Sequence, residues 1–127
     1  MIVLTGAGDK AFASGADISE FTSKRTGRDA AALYHRAVEE TMASLEAASK
    51  PVIAMVNGFA LGGGCELAVA CDLRIAAERS SFGIPSAKLG VVIGFSDTKR
   101  LVDLVGPAVA RVQIGRASCR ERVCLGV

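Results

Sequence analysis

Residues 51–72, PVIAMVNGFALGGGCELAVACD, restrict the possible folds more than any other stretch of the chain. Residues 51–56 are apolar and rich in β-branched side chains, which suits a strand covered on both faces, and Asn57-Gly58 then signals a turn. Gly62, Gly63 and Gly64 precede residues 65–70, which read as a short helix of small side chains carrying one carboxylate, Glu66. Glycines ahead of a helix leave its first N–H groups uncovered, and the helix dipole adds positive charge there. The junction therefore suits an oxygen bearing negative charge. The plainer alternative is a tight turn that serves packing alone.

The totals narrow the field. A chain of 127 residues allows at most one domain, and a hydrophobic content of 50% points to a globular chain rather than a disordered one. No apolar run is long enough for a membrane span, and the start lacks the basic segment and apolar core of a secretion signal, so a cytoplasmic location is expected. Arg116, Arg120 and Arg122 against Glu121 account for the whole formal charge of +2, so no basic patch calls for nucleic acid. The four cysteines, Cys65, Cys71, Cys119 and Cys124, lack zinc spacing, and no metal site is expected. Cys65 and Cys71 read as small buried fillers in a reducing compartment.

Along the chain, residues 2–5 read as a short buried strand, which makes Met1 an expected internal start with sequence missing upstream. The spacing Gly6-x-Gly8-x-x-Ala11 mimics a dinucleotide fingerprint, but another glycine follows where a helix should open, so NAD is set aside. Asp17 is placed to cap a short helix with Glu20, leaving the Ala16 N–H free at the turn. Residues 28–49 form an amphipathic pattern with Tyr34, Val38, Met42 and Leu45 on one face. His35, the only histidine, reads as solvated surface. Residues 73–77 suit another strand and residues 82–86 an irregular segment. Ser96 and Asp97 suit the cap of a helix over 98–105 that Gly106-Pro107 punctuates, with a further helix from Ala108. Strand and helix alternate as in parallel βαβ units, so the class is α/β. Residues 1–114 are assigned to a partial core domain. Residues 115–127, GRASCRERVCLGV, break the pattern and are read as a tail of non-native origin, the alternative being a genuine basic terminus.

Four stretches, IVLTGAGDKAFASGADISEF, KPVIAMVNGFALGGGCELAVACDLRIAAE, FGIPSAKLG and TKRLVDLVGPAVA, resemble the crotonase superfamily, the enoyl-CoA hydratase and isomerase group, in order and spacing. The resemblance implies a partial crotonase-like spiral of repeated ββα units, homotrimers or dimers of trimers when full length, and acyl-CoA thioester substrates. It implies no metal or redox cofactor, CoA being part of the substrate. By motif match the N–H groups of Ala16 and Gly63 would hold the thioester carbonyl as it becomes an enolate-like oxyanion. Glu66 matches one of the two glutamates of family hydratases and would act as acid and base. Gly15, Asp17, Ile18 and Gly62, together with Ser86 and Gly94, are expected to line the substrate.

The chain departs from the family pattern at the second hydratase glutamate, where it carries Ser86. A hydroxyl can hold water but cannot serve unaided as a base near neutral pH. Asp97 could replace the missing carboxylate, although a helix cap is the simpler role for it. The reading that follows is an enoyl-CoA hydratase-like enzyme. The alternatives are an enoyl-CoA isomerase, or a non-catalytic acyl-CoA binder or inactive fragment.

Overall fold

The computed structural model describes residues 1–17, 19 and 27–115. Three successive units each contribute two strands and a helix. The first holds β1 (Ile2–Thr5), β2 (Ala11–Ala13) and α1 (Arg28–Glu46). The second holds β3 (Val52–Val56), β4 (Phe59–Leu61) and α2 (Gly63–Ala70). The third holds β5 (Leu73–Ala76), β6 (Ser81–Gly83) and α3 (Ser86–Leu89). The final helix, α4 (Phe95–Gly115), bends at Gly106, just before Pro107.

The units stack in register. The first strand of each joins one parallel sheet in the order β1-β3-β5, and the second joins another in the order β2-β4-β6. Ile2 lies opposite Val52 and Thr5 opposite Met55, while Ile53 lies opposite Leu73 and Val56 opposite Ala76. Parallel neighbours require a crossover between them, and each crossover here is the second strand and helix of a unit. The ββα spiral implied by the resemblance is therefore the observed architecture; β6 overlaps residues 82–86, which the sequence suggests are irregular, and the sequence suggests no strand at β2 or β4.

Side-chain hydrogen bonds lock one turn of the spiral to the next. Asn57 Oδ1 accepts the Gly6 N–H at 3.2 Å, and Asn57 Nδ2 donates to the carbonyls of Gly6 and Gly8, joining the β1–β2 and β3–β4 connections. Asp72 Oδ2 accepts the Val52 N–H at 2.7 Å where β3 begins. The Arg74 guanidinium donates to the carbonyls of Ala68, Val69 and Cys71, satisfying acceptors that the end of α2 leaves open.

The core lies between the β1-β3-β5 sheet and the helices. Val52, Ala54 and Val56 from β3 meet Phe12, Ala60, Phe82, Ile84 and Leu101 there, with Cys65, Ala68 and Val69 of α2. Burying one such valine or leucine contributes about 1.5–3 kcal/mol. One expectation changes. Among the described residues β3 is covered on a single face: Val52 and Ala54 are 0% exposed but Met55 is 45% exposed. Met55 shares its open face with its register partners Thr5 and Ile75, and one step along the strands Val3 and Leu73 lie on the same side.

Helix α2 is built of small residues because it packs against α1, α4 and both β2 and β4. Its tightest point is Gly64, where an added Cβ would lie 2.0 Å from the Ala13 carbonyl oxygen. Gly64→Ala in the full-length protein is expected to lower unfolding free energy by about 1–3 kcal/mol or more through overpacking. Gly8→Ala, with nothing within 4 Å of the added carbon, is expected to stay within about 0.5 kcal/mol. Equal denaturant midpoints for the two variants would contradict this account of α2.

Candidate active site

The site begins with the entry to α2. The Gly62 N–H donates to the Gly83 carbonyl at 2.8 Å, fixing the loop to β6. The Gly62 carbonyl in turn accepts the N–H groups of Cys65 at 2.9 Å and Glu66 at 3.1 Å, the first bonds of the helix. The Gly63 N–H has no hydrogen-bond acceptor among the described residues, as the first turn of a helix allows.

A second loop comes to meet it from the end of β2. Gly15 has φ +89°, and an added Cβ there would lie 2.8 Å from the Leu61 carbonyl and 3.3 Å from the Gly63 nitrogen. Only a residue that tolerates this backbone region and lacks a side chain permits the approach. The next residue, Ala16, likewise has an N–H without an acceptor among the described residues.

Both loops open on one cavity of about 570 Å³, within the size range of small-molecule sites. Of the residues expected at a site, Gly15, Ala16, Gly62, Gly63, Glu66, Ser86 and Gly94 all line it. Asp17 does not. Its side chain is exposed, and Oδ1 accepts the Ser19 N–H at 2.9 Å and the Ser19 hydroxyl at 2.7 Å. Ile18 and Glu20 lie outside the described residues, as does the expected tail from residue 116 onward. Ser86 is buried at the start of α3, and its hydroxyl has no protein partner among the described residues.

Among the described residues two carboxylates line the cavity. Glu66, one turn into α2, is pushed up to about 7, first by burial and then by the charge of Asp97. Asp97 was expected to cap a helix; α4 instead begins at Phe95, so Asp97 falls inside the first turn and turns inward. Burial raises its pKa; the Arg100 charge and hydrogen bond and the His35 charge pull it down, and Glu39 pushes it further up. Arg100 Nη1 donates to Asp97 Oδ1 at 3.0 Å, while Nε and Nη2 grip Glu46 of α1 at 2.6 and 3.1 Å.

Sequence reasoning also missed the wall contributed by α1. Tyr34, Val38, Thr41 and Met42 face the cavity from one side of that helix, and His35 stands at its edge, 6.1 Å ring to ring from Tyr34. The helical spacing of these residues was the available signal; nothing in the pattern tells a core-facing stripe from a cavity-facing one. Cys65 is buried and its thiol is pushed up to about 12 by burial, so packing is its role. Among the described residues no group of three histidine, cysteine, aspartate or glutamate side chains could hold a metal ion. No described helix is long and apolar enough to cross a membrane.

Residues 1–118 match the family described as enoyl-CoA hydratase/isomerase. The crotonyl-CoA hydratase of Syntrophomonas wolfei is 49% identical over 113 residues, covering 87% of this chain and 42% of that protein. The short-chain-enoyl-CoA hydratase of Clostridium acetobutylicum is 49% identical over 112 residues, covering 87% of this chain and 41% of that protein. Among solved structures, an enoyl-CoA hydratase/carnithine racemase from Magnetospirillum magneticum superposes with a TM-score of 0.85 at 39% identity, over 90% of this chain and 43% of that one. The enoyl-CoA hydratase from Bacillus anthracis gives 0.83 at 40% identity, over 93% and 46%. The chain thus spans less than half the length of these relatives.

The raised pKa of Glu66 has a consequence for stability. A carboxyl that holds its proton more tightly when folded makes stability fall as pH rises from its unfolded value of 4.5 to its folded value of about 7. Glu66→Gln removes that term. The variant is expected to exceed the parent protein by about 2–3 kcal/mol at about pH 8 and to match it at about pH 4, read from denaturant midpoints.

Proposed function

The chain belongs to the enoyl-CoA hydratase/isomerase family of the crotonase superfamily, and on that premise we propose that it is the part of an acyl-CoA enzyme that activates the thioester. The reading rests on one observation: Ala16 and Gly63, whose N–H groups have no acceptor among the described residues, line the same cavity as the half-buried Glu66. The thioester carbonyl of a 2-enoyl-CoA would sit between those donors. As water adds to C3, the C2=C3 electrons move onto the carbonyl oxygen, and donors already in place favour that charge over the ground state. Each is worth about 2.7–4 kcal/mol in comparable sites.

Glu66 then gives its proton to C2 as the carbonyl re-forms, and regains one from the water oxygen that has bonded to C3. A carboxyl poised near neutral pH suits this exchange, because it gives and regains a proton with little driving force lost. The thioester itself is the electron sink, so the proposed addition calls on no metal or redox group. A homotrimer or dimer of trimers, when full length, remains the expectation carried by the family resemblance.

Ser86 favours a second reading. With no carboxylate at that place, double-bond isomerisation from 3-enoyl to 2-enoyl thioesters, or acyl-CoA binding without turnover, would fit the same cradle. The full-length protein assayed with crotonyl-CoA and a 3-enoyl-CoA separates the three. Hydration is expected to dominate, and Glu66→Gln to lower kcat by about 10²- to 10⁴-fold with KM little changed. Because Glu66 acts in its protonated form, kcat/KM for hydration is expected to fall as pH rises through about 7. Unchanged turnover in the variant would remove Glu66 from the chemistry, and saturable binding with no turnover would leave a binder.

A further inference from the structure

We propose that Arg100 is a positioning residue: by gripping Glu46 of α1 and Asp97 of α4 behind the cavity, it sets the separation of the two walls between which the substrate lies. The inference rests on the acyl-CoA reading above and adds what holds that pocket to size.

Tyr34, Val38 and Met42 line the cavity from α1 and Asp97 lines it from α4, whereas neither Arg100 nor Glu46 does. Glu46 follows Met42 by four residues and Arg100 follows Asp97 by three. Each therefore stands one turn along the same helix face, about 5.4 Å beyond the wall residue. Helices α1 and α4 pack chiefly on α2 rather than on one another. Their distance apart depends on what spans the gap, and Arg100 spans it. Its Nε and Nη2 donate to the two oxygens of Glu46 at 2.6 and 3.1 Å, and its Nη1 donates to Asp97 Oδ1 at 3.0 Å.

The chemistry of the link suits a spacer. A guanidinium is planar and presents its donors in a fixed fork, so two bonds to one carboxylate set direction as well as distance. The Arg100 side chain is 15% exposed and that of Glu46 45%, so the grip on α1 lies at the rim of the core and its loss need not unravel the fold. Met42 is buried, lines the cavity and stands apart from the continuous core cluster around β3. A shift of α1 would thus change the space offered to substrate before it disturbed that core.

A bridge that only adds stability would lower the melting temperature and leave the kinetics alone. The full-length protein and crotonyl-CoA decide between the two. Glu46→Ala frees Arg100 from α1 and leaves its bond to Asp97. It is expected to raise KM about three- to tenfold with kcat within about twofold, the pattern of binding lost equally from ground and transition states. Glu46→Gln keeps an acceptor for the guanidinium and is expected to fall between that variant and the parent. Glu40→Ala breaks the exposed pair with Arg36 on the same helix without touching α4, and is expected to leave KM unchanged. Wild-type KM in Glu46→Ala, or an equal rise in Glu40→Ala, would overturn the role of Arg100 and leave the acyl-CoA reading standing. If the parent protein turns over neither crotonyl-CoA nor a 3-enoyl-CoA, the enzymatic reading ends, and the same comparison made on the Kd for crotonyl-CoA decides the role of Arg100. A Kd raised in Glu46→Ala alone supports it, and equal values overturn it. If Glu46→Ala does not fold, Glu46→Asp keeps the charge and shortens its reach by one methylene. A higher KM at unchanged melting temperature then supports the proposal, and an unchanged KM overturns it.

Discussion

Backbone meets backbone where one turn of the spiral passes the next, and no side chain fits between. Gly64 lies on the Ala13 carbonyl and Gly15 lies against Gly63, at distances where an added Cβ would collide. Everything near the cavity follows from that contact. The small residues of α2 let the helix sink between α1, α4 and the β2-β4-β6 sheet, and its first N–H groups then face a loop from a different unit. Two amide groups without acceptors among the described residues, from positions far apart in the chain, come to one cavity because β2 and β4, the strands that lead to them, pair in parallel. Preorganisation of this kind comes from the scaffold and requires no rearrangement when charge develops.

The second layer of organisation is electrostatic, and Arg100 is its hub. It joins the first turn of α4 to the last turn of α1 through Asp97 and Glu46, with its side chain only 15% exposed. Glu46 is drawn below its ordinary value by that arginine, whereas Glu66, without such a partner, rises. Burial alone would raise both cavity carboxyls together. The guanidinium beside Asp97 works against that rise without reversing it, whereas Glu66 has no such partner. A buried carboxyl without a cation lowers stability at neutral pH, and proteins keep such groups where chemistry needs them.

Much of this was legible before any coordinates. The β3 strand, the glycine turn, α2 with Glu66, the apolar face of α1 and the break at Gly106-Pro107 all follow from period, capping and turn chemistry in local sequence. The strands β2 and β6 did not follow, because three residues such as Ser81–Gly83 carry no period and exist only through parallel pairing with β4. Asp97 was read as a cap because Ser96-Asp97 is a local signal for one. α4 starts at Phe95, three residues before the expected Thr98, so Asp97 lies within its first turn, buried and lining the cavity. The inward face of α1 was seen, but whether it met core or cavity depends on what stands opposite.

The distribution of parts explains why the site resists reading from any one motif. Ala16 comes from the first unit, Gly63 and Glu66 from the second, Ser86 from the third, and Asp97 from the helix that follows. Each unit supplies one or two groups and none supplies a working set. A glycine run by itself is compatible with a tight turn, and an aspartate near a helix start with a cap; their convergence makes either chemically specific. Ser86 stands where the family pattern has a carboxylate, and Asp97 of the neighbouring helix lines the same cavity.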